Sequence, residues 1–135
     1  MRLVYWSALV VVLVAVSSCI AQGPRVASLS VDYPHGERRL LVESGGEASL
    51  FYGALPRGQR IGAGVFSVDE LYAQLRARLH ENVPRDRWPD PMAEYGMVTI
   101  VFDDRSERSY LLFDEKAFAE ALFGRAEAGI VSAAP

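Results

Sequence analysis

The sequence predicts an α+β fold, a small antiparallel sheet with two helices on one face, preceded by a signal peptide. Three observations carry this. Apolar and polar residues alternate in several short runs separated by turn residues, which is the pattern of half-buried strands. One segment after the third run repeats its apolar residues at helical spacing behind N-terminal helix signals. A second hairpin is followed by another short helical stretch. The expected order is β-β-β-α-β-β-α, with both hairpins favouring antiparallel pairing.

The first strand spans Val26–Tyr33. Ala27, Leu29, Val31 and Tyr33 fall on one face, and Ser28, Ser30 and Asp32 on the other. Pro34-His35-Gly36 makes a turn. Arg39–Glu43 and Ala48–Ala54 then read as a hairpin across Ser44-Gly45-Gly46 and Glu47. Leu55–Gly64 holds Pro56 and three glycines, so it reads as a loop or an irregular strand.

The best-marked element follows. Ser67 and Glu70 have capping-box spacing, and Phe66 and Leu71 are placed as a hydrophobic staple. Val68, Leu71, Tyr72, Leu75, Leu79 and Val83 recur on one side, with Glu70, Gln74, Arg78 and Glu81 opposite. Asp69 and Glu70 suit the positive end of the helix dipole. Asn82 and Pro84 should end the helix.

A loop with Pro84, Pro89 and Pro91 leads to Tyr95–Phe102, which alternates most strongly of all. Asp103-Asp104-Arg105-Ser106 turns the chain, and Arg108–Phe113 returns. Asp114 is expected to cap a helix running to about Phe123, with Gly124 as its stop.

The N-terminus differs from all this. Met1-Arg2 is a short positive region, and Leu3–Val16 is apolar except for Ser7. About 14 residues are too few for a relaxed bilayer span, which takes roughly 20, but they fit the apolar stretch of a secretory signal. Val16-Ser17-Ser18-Cys19 follows, and Cys19 is the single cysteine of the chain. It cannot form an intramolecular disulfide. The segment resembles a bacterial lipoprotein signal peptide, with Val16 at −3, small residues at −2 and −1, and Cys at +1. Val stands where Leu is commonest, and Ser18 where Gly or Ala is commoner. The resemblance implies cleavage by signal peptidase II before Cys19, a diacylglycerol on its thiol and an acyl chain such as palmitate on its new amino group. Two or more chains give stable anchoring where one is marginal. Ile20 rather than Asp at +2 implies the outer membrane over the inner in a Gram-negative envelope. An ordinary cleaved signal with an incidental Cys, and an uncleaved anchor helix, are the alternatives.

The expected organisation is therefore signal peptide 1–18, lipidated Cys and short tether 19–25, one domain 26–124 and a flexible tail 125–135. Six tether residues, Ile20–Arg25, reach at most about 20 Å. The 117 residues after the signal carry 13 basic residues (14 less Arg2) and 17 acidic ones, a net charge of −4. All the basic residues except Lys116 are Arg. No basic stripe appears, so nucleic acid is not an expected partner.

Catalytic signals are sparse. His35 and His80 are the only imidazoles, and each reads as a solvated surface residue. No G-x-S-x-G places a serine. Asp103-Asp104 and Asp114-Glu115 lack calcium-loop spacing, and Gly58–Gly64 contains no lysine for a phosphate loop. No catalytic residue, metal site or cofactor is expected. Arg85-Asp86-Arg87-Trp88-Pro89-Asp90-Pro91 joins Trp and Arg, the pair enriched at interface hot spots, on a loop stiffened by proline. Folding of Trp88 back over the sheet edge is the structural alternative. Arg87, Trp88 and Tyr95 are the expected contact residues of a membrane-anchored binding module, its partner an envelope protein. Phe51-Tyr52 with Leu55 is a second, weaker candidate that sheet packing also explains.

Gly45-Gly46-Glu47-Ala48 between two strands, followed by a capped helix, a hairpin and a short helix, is similar to the emfourin group of metalloprotease inhibitors over roughly residues 40–123. Glu47 replaces the family's usual aromatic, and no inhibitory residue carries over. The resemblance implies a protease inhibitor as the alternative to the binding module; a small envelope enzyme is the third possibility.

Overall fold

The computed structural model describes residues 23–79 and 95–131. Among them are six strands and two helices in the order β1 Val26–Asp32, β2 Arg38–Glu43, β3 Ala48–Tyr52, β4 Gln59–Ile61, α1 Val68–Leu75, β5 Tyr95–Phe102, β6 Glu107–Phe113 and α2 Lys116–Ala128. The strands form one antiparallel sheet, ordered β4-β3-β2-β1-β5-β6. The chain is α+β.

Strand alternation sends one set of side chains to an inner face. Register aligns Ile61, Ala48, Val42, Leu29 and Ile100 across five strands, and Leu50, Leu40, Val31 and Val98 in the next row. Leu29, Leu40, Leu50, Val31 and Val98 are fully buried. Val68, Leu71 and Leu75 of α1 and Ala119, Leu122, Phe123 and Ala126 of α2 join the same core. Both helices therefore pack against the inner face.

Arginines laid over aromatic rings hold α2 in place. Arg38 of β2 lies 4.6 Å from the Phe123 ring centre, Arg78 lies 4.5 Å from that of Phe118, and Arg125 of α2 lies 4.9 Å from that of Phe66. Each guanidinium also meets a carboxylate: Arg38 Nη2 to Glu120 at 2.8 Å, Arg78 Nε to Glu115 at 3.2 Å and Arg125 Nη1 to Glu70 at 3.8 Å.

The structure corrects the sequence reading at four places. The segment read as a loop or irregular strand contributes β4, held by pairing to β3 rather than by any pattern of its own. The first helix ends at Leu75, and the N–H of Arg78 then bonds back three residues to the Leu75 carbonyl. The Arg78 side chain donates to the Gln74 carbonyl and lies over Phe118, which draws this turn towards α2. Ser67 is the N-cap residue but makes no side-chain cap bond, while Glu70 faces Arg125. Phe66 and Leu71, placed as a staple, are both buried.

The fourth correction concerns the C-terminus. Asp114 is not the N-cap; it sits at φ 52° and Glu115 takes the position. The helix runs through Gly124 and stops at Gly129, whose N–H bonds the Arg125 and Ala126 carbonyls. A mid-helix glycine costs about 1 kcal/mol, less than the burial of Leu122, Phe123 and Ala126 around it returns. Residues 125–131, expected to belong to a flexible tail, are therefore part of the folded domain. Ala126 is fully buried, Ile130 bridges Ile61, and the Val131 N–H bonds the Arg60 carbonyl.

Candidate functional site

Of the site residues expected from sequence, the lipidation site Cys19 and the contact residues Arg87 and Trp88 lie outside the described residues, as does His80. Tyr95 is described. It opens β5 opposite Phe113, at the end of the sheet where β1 finishes and the turn 33–37 begins.

That turn builds a cluster around Tyr95. The Tyr33–Pro34 peptide is cis and Gly36 has φ 86°. The Tyr33 N–H bonds the Arg38 carbonyl, and the Glu37 N–H bonds that of Pro34. This brings the His35 N–H to the Tyr95 carbonyl at 2.9 Å and stacks the two rings with centres 5.3 Å apart. Asp32 completes the group: Oδ2 lies 3.0 Å from His35 Nδ1, and Oδ1 accepts from the Gly36 N–H. His35 is thus a positioned imidazole with a half-exposed side chain, more constrained than the solvated residue read from sequence. The signal available was the Asp32-x-x-His35 spacing; its meaning depends on Tyr95, 60 residues further on.

Beside this cluster the outer face carries a second stack. Arg39 pairs with Phe51 across β2 and β3, and its guanidinium lies 4.5 Å from the ring centre. Gly58 presses on the same ring, since a Cβ there would come within 2.8–3.0 Å of three ring carbons. A cleft of about 280 Å³ opens alongside, lined by Asp32, Gly36, Arg38, Arg39, Gly53 and Leu55. Leu55 is 64% exposed, the most exposed large apolar residue described. The wall towards α2 is fixed by Arg38 and by the Tyr52 hydroxyl, which donates to Glu127 at 3.1 Å. Burial, and then the bond to Glu127, raise the Tyr52 phenol above its ordinary pKa.

An Asp–His pair is half of a nucleophile-activating arrangement; among the described residues no serine, threonine or cysteine lines this cleft. Among the described residues no three His, Cys, Asp or Glu are placed to hold a metal ion. No described helix is long and apolar enough to cross a membrane. What the cluster offers is a fixed imidazole, a flat guanidinium, aromatic rings and one exposed leucine, a set suited to contact.

A larger cleft, about 500 Å³, lies at the opposite end of β1. Arg25, the Gly45-Gly46 turn, Phe66 and the first residues of α1 line it with Asp103. This is the end at which the chain enters the sheet. The Arg25 N–H reaches Asp103 Oδ1 at 3.2 Å. Compared with protein families, with curated proteins and with solved structures, the chain matches none.

Proposed function

We propose that the protein is a lipid-anchored module of the bacterial envelope, held at the outer membrane through Cys19, that binds a protein partner and catalyses no reaction. The observation carrying the reading is the polarity of β1. The strand begins at Val26, one residue after the tether, and ends at Asp32 beside His35 and Tyr95. Seven residues at about 3.3 Å each separate the two ends by roughly 20 Å. An anchor on Cys19 puts the entry end towards lipid and the His35–Tyr95 end away from it.

The entry end carries Glu43, Glu47, Asp69, Asp103 and Asp104 against Arg25 and Arg105. An acidic end is not drawn onto an anionic lipid surface, so in this reading the short tether, not surface charge, holds that end towards lipid.

The test is site-specific photocrosslinking in intact envelopes, with the crosslinker at residue 95 or at residue 104 of the lipidated protein. A discrete product from 95 and none from 104 is expected; products from 104 alone would overturn the orientation. Lipidation itself is read by detergent-phase partition, which Cys19→Ser should abolish. Inhibition of a secreted metalloprotease by the purified protein, with no crosslinked envelope partner, would replace the reading with that of an inhibitor.

A further inference from the structure

We propose that the outer face along β2, β3 and β4 takes an acidic segment of a partner protein, through Arg39, Arg57 and Arg60. The proposal rests on the binding-module reading and adds the chemistry of the partner.

Arg39 and Arg60 point to the outer face by register, Arg39 opposite Phe51 and Arg60 opposite Ser49. Arg57 lies in the loop that leads into β4, two residues before it. All three are exposed. None makes an ion pair among the described residues, whereas Arg38, Arg78 and Arg125 all do. The carboxylate nearest Arg39 in register is Asp32, and both its oxygens are engaged, with His35 and with the Gly36 N–H. The strip is thus a set of cations without an ion pair among the described residues, on a chain whose net charge is −3.

Its form suits a polypeptide. Arg39 is flattened on Phe51, which spares part of the entropy a partner would otherwise remove by ordering it. Ser49 is a low floor between Arg60 and Phe51, and Leu55 offers an apolar contact at the remote end. Strand addition at β4 is closed off, because Ile130 bridges Ile61 and Val131 donates to the Arg60 carbonyl. The partner therefore lies on the face, held by side chains. Carboxylates match the guanidinium fork in pairs.

The experiment measures binding of a fluorescent peptide of about ten glutamates to the full-length lipidated protein in non-ionic detergent, by anisotropy at about 50 and about 200 mM NaCl. The expected result is binding that weakens with salt. Arg39→Gln/Arg57→Gln/Arg60→Gln should lose it at least about tenfold, and Arg76→Gln should keep it. Near-UV circular dichroism checks that the triple variant is folded. No binding at the lower salt, equal binding by the triple variant, or equal loss in Arg76→Gln would overturn the proposal. So would binding to anionic phospholipid vesicles that depends on the same three arginines while the peptide does not bind. Cys19→Ser separates the two readings: peptide binding that survives in a variant shed from the membrane leaves the strip standing on its own, whatever becomes of the anchor.

Discussion

The two faces of the sheet come from the same strands and have almost nothing else in common. The inner face is rows of Leu, Val and Ile with no access to water, closed by α1 and α2. The outer face sets Arg60, Ser49, Leu41, Ser30, Thr99 and Ser109 in one row, and Phe51, Arg39, Asp32, Met97 and Leu111 in the next. Four of the six residues in its first row are hydroxylated, with Thr99 and Ser109 oxygens 3.4 Å apart. Its second row is aromatic, charged and sulfur-bearing, and ends in the buried Leu111. Buried apolar side chains lie mainly on one face and exposed charged or hydroxylated ones on the other, one residue out of phase along the strands.

The sharpest way to break this comparison is to truncate one leucine on each face. Leu29 is fully buried in the central strand, and Leu29→Ala should lower unfolding free energy by about 3–5 kcal/mol. Leu41 on the neighbouring strand faces outward and is half-buried. Leu41→Ala should cost less than about 1 kcal/mol, since most surface changes are small. Urea unfolding of both variants is the measurement. Equal losses would mean that the outer face is a second core.

Gly96 and Gly124 make a second contrast. A Cβ on Gly96, in β5, would stand 2.6 Å from the Tyr33 ring and 2.8 Å from the Asp32 carbonyl oxygen. Backbone cannot yield cheaply, so Gly96→Ala should destabilise by about 2–3 kcal/mol. It should also disturb the neighbouring His35–Tyr95 stack, visible as a shift of the His35 ring resonances. Gly124 has open space around its Cα, so Gly124→Ala should stabilise by about 0.5–1 kcal/mol as helix propensity predicts. Thermal unfolding separates the two signs.

This contrast also shows what the sequence could and could not carry. Period-two alternation revealed β1, β5 and the hairpins because each strand has one dry face. The same pattern left β4 open between loop and irregular strand, because the strand character of these three residues comes from pairing with β3 and the bridge to Ile130. Gly124 looked like a stop because local propensity favours one there, and tertiary burial of Phe123 and Ala126 overrode it. Tyr95 was singled out from sequence, but its neighbours in the fold were not. Asp32 and His35 are far from it in sequence and meet it through the turn 33–37. The Arg39–Phe51–Gly58 stack was equally hidden, because pairing register is fixed by tertiary structure.

Alkaline pH probes the strut between the sheet and α2. Tyr52 donates to Glu127, and its phenol is raised above the ordinary value near 10 by burial and then by that bond. A neutral group with a raised pKa contributes stability in full below its unfolded pKa, and that contribution is lost as pH rises through the folded one. Stability should therefore fall above about pH 10, and Tyr52→Phe should remove this part of the fall. Denaturant midpoints between about pH 8 and 11 test it. Identical slopes in the two proteins would show that the strut does not titrate with Tyr52.

The smallest effect lies at the entry end, in the turn joining β5 and β6. Asp104 accepts from both the hydroxyl and the backbone N–H of Ser106, and these bonds hold its carboxyl below the usual range. Stability from a depressed carboxyl is present above the unfolded pKa and lost as pH falls through the folded one. Because Asp104 is solvated, the contribution to global stability is small, and the turn itself is the place to look. Ser106→Ala removes the hydroxyl donor and leaves the N–H, so the Asp104 pKa should rise part of the way to its ordinary value in an NMR titration. An unchanged pKa would assign the whole effect to the backbone. A stronger shift, with loss of the β5–β6 turn resonances, would mean that the acidic entry end depends on one serine hydroxyl for its order. The contrast between a rigid, buried inner face and independently held outer ends would then need redrawing at this end of the sheet.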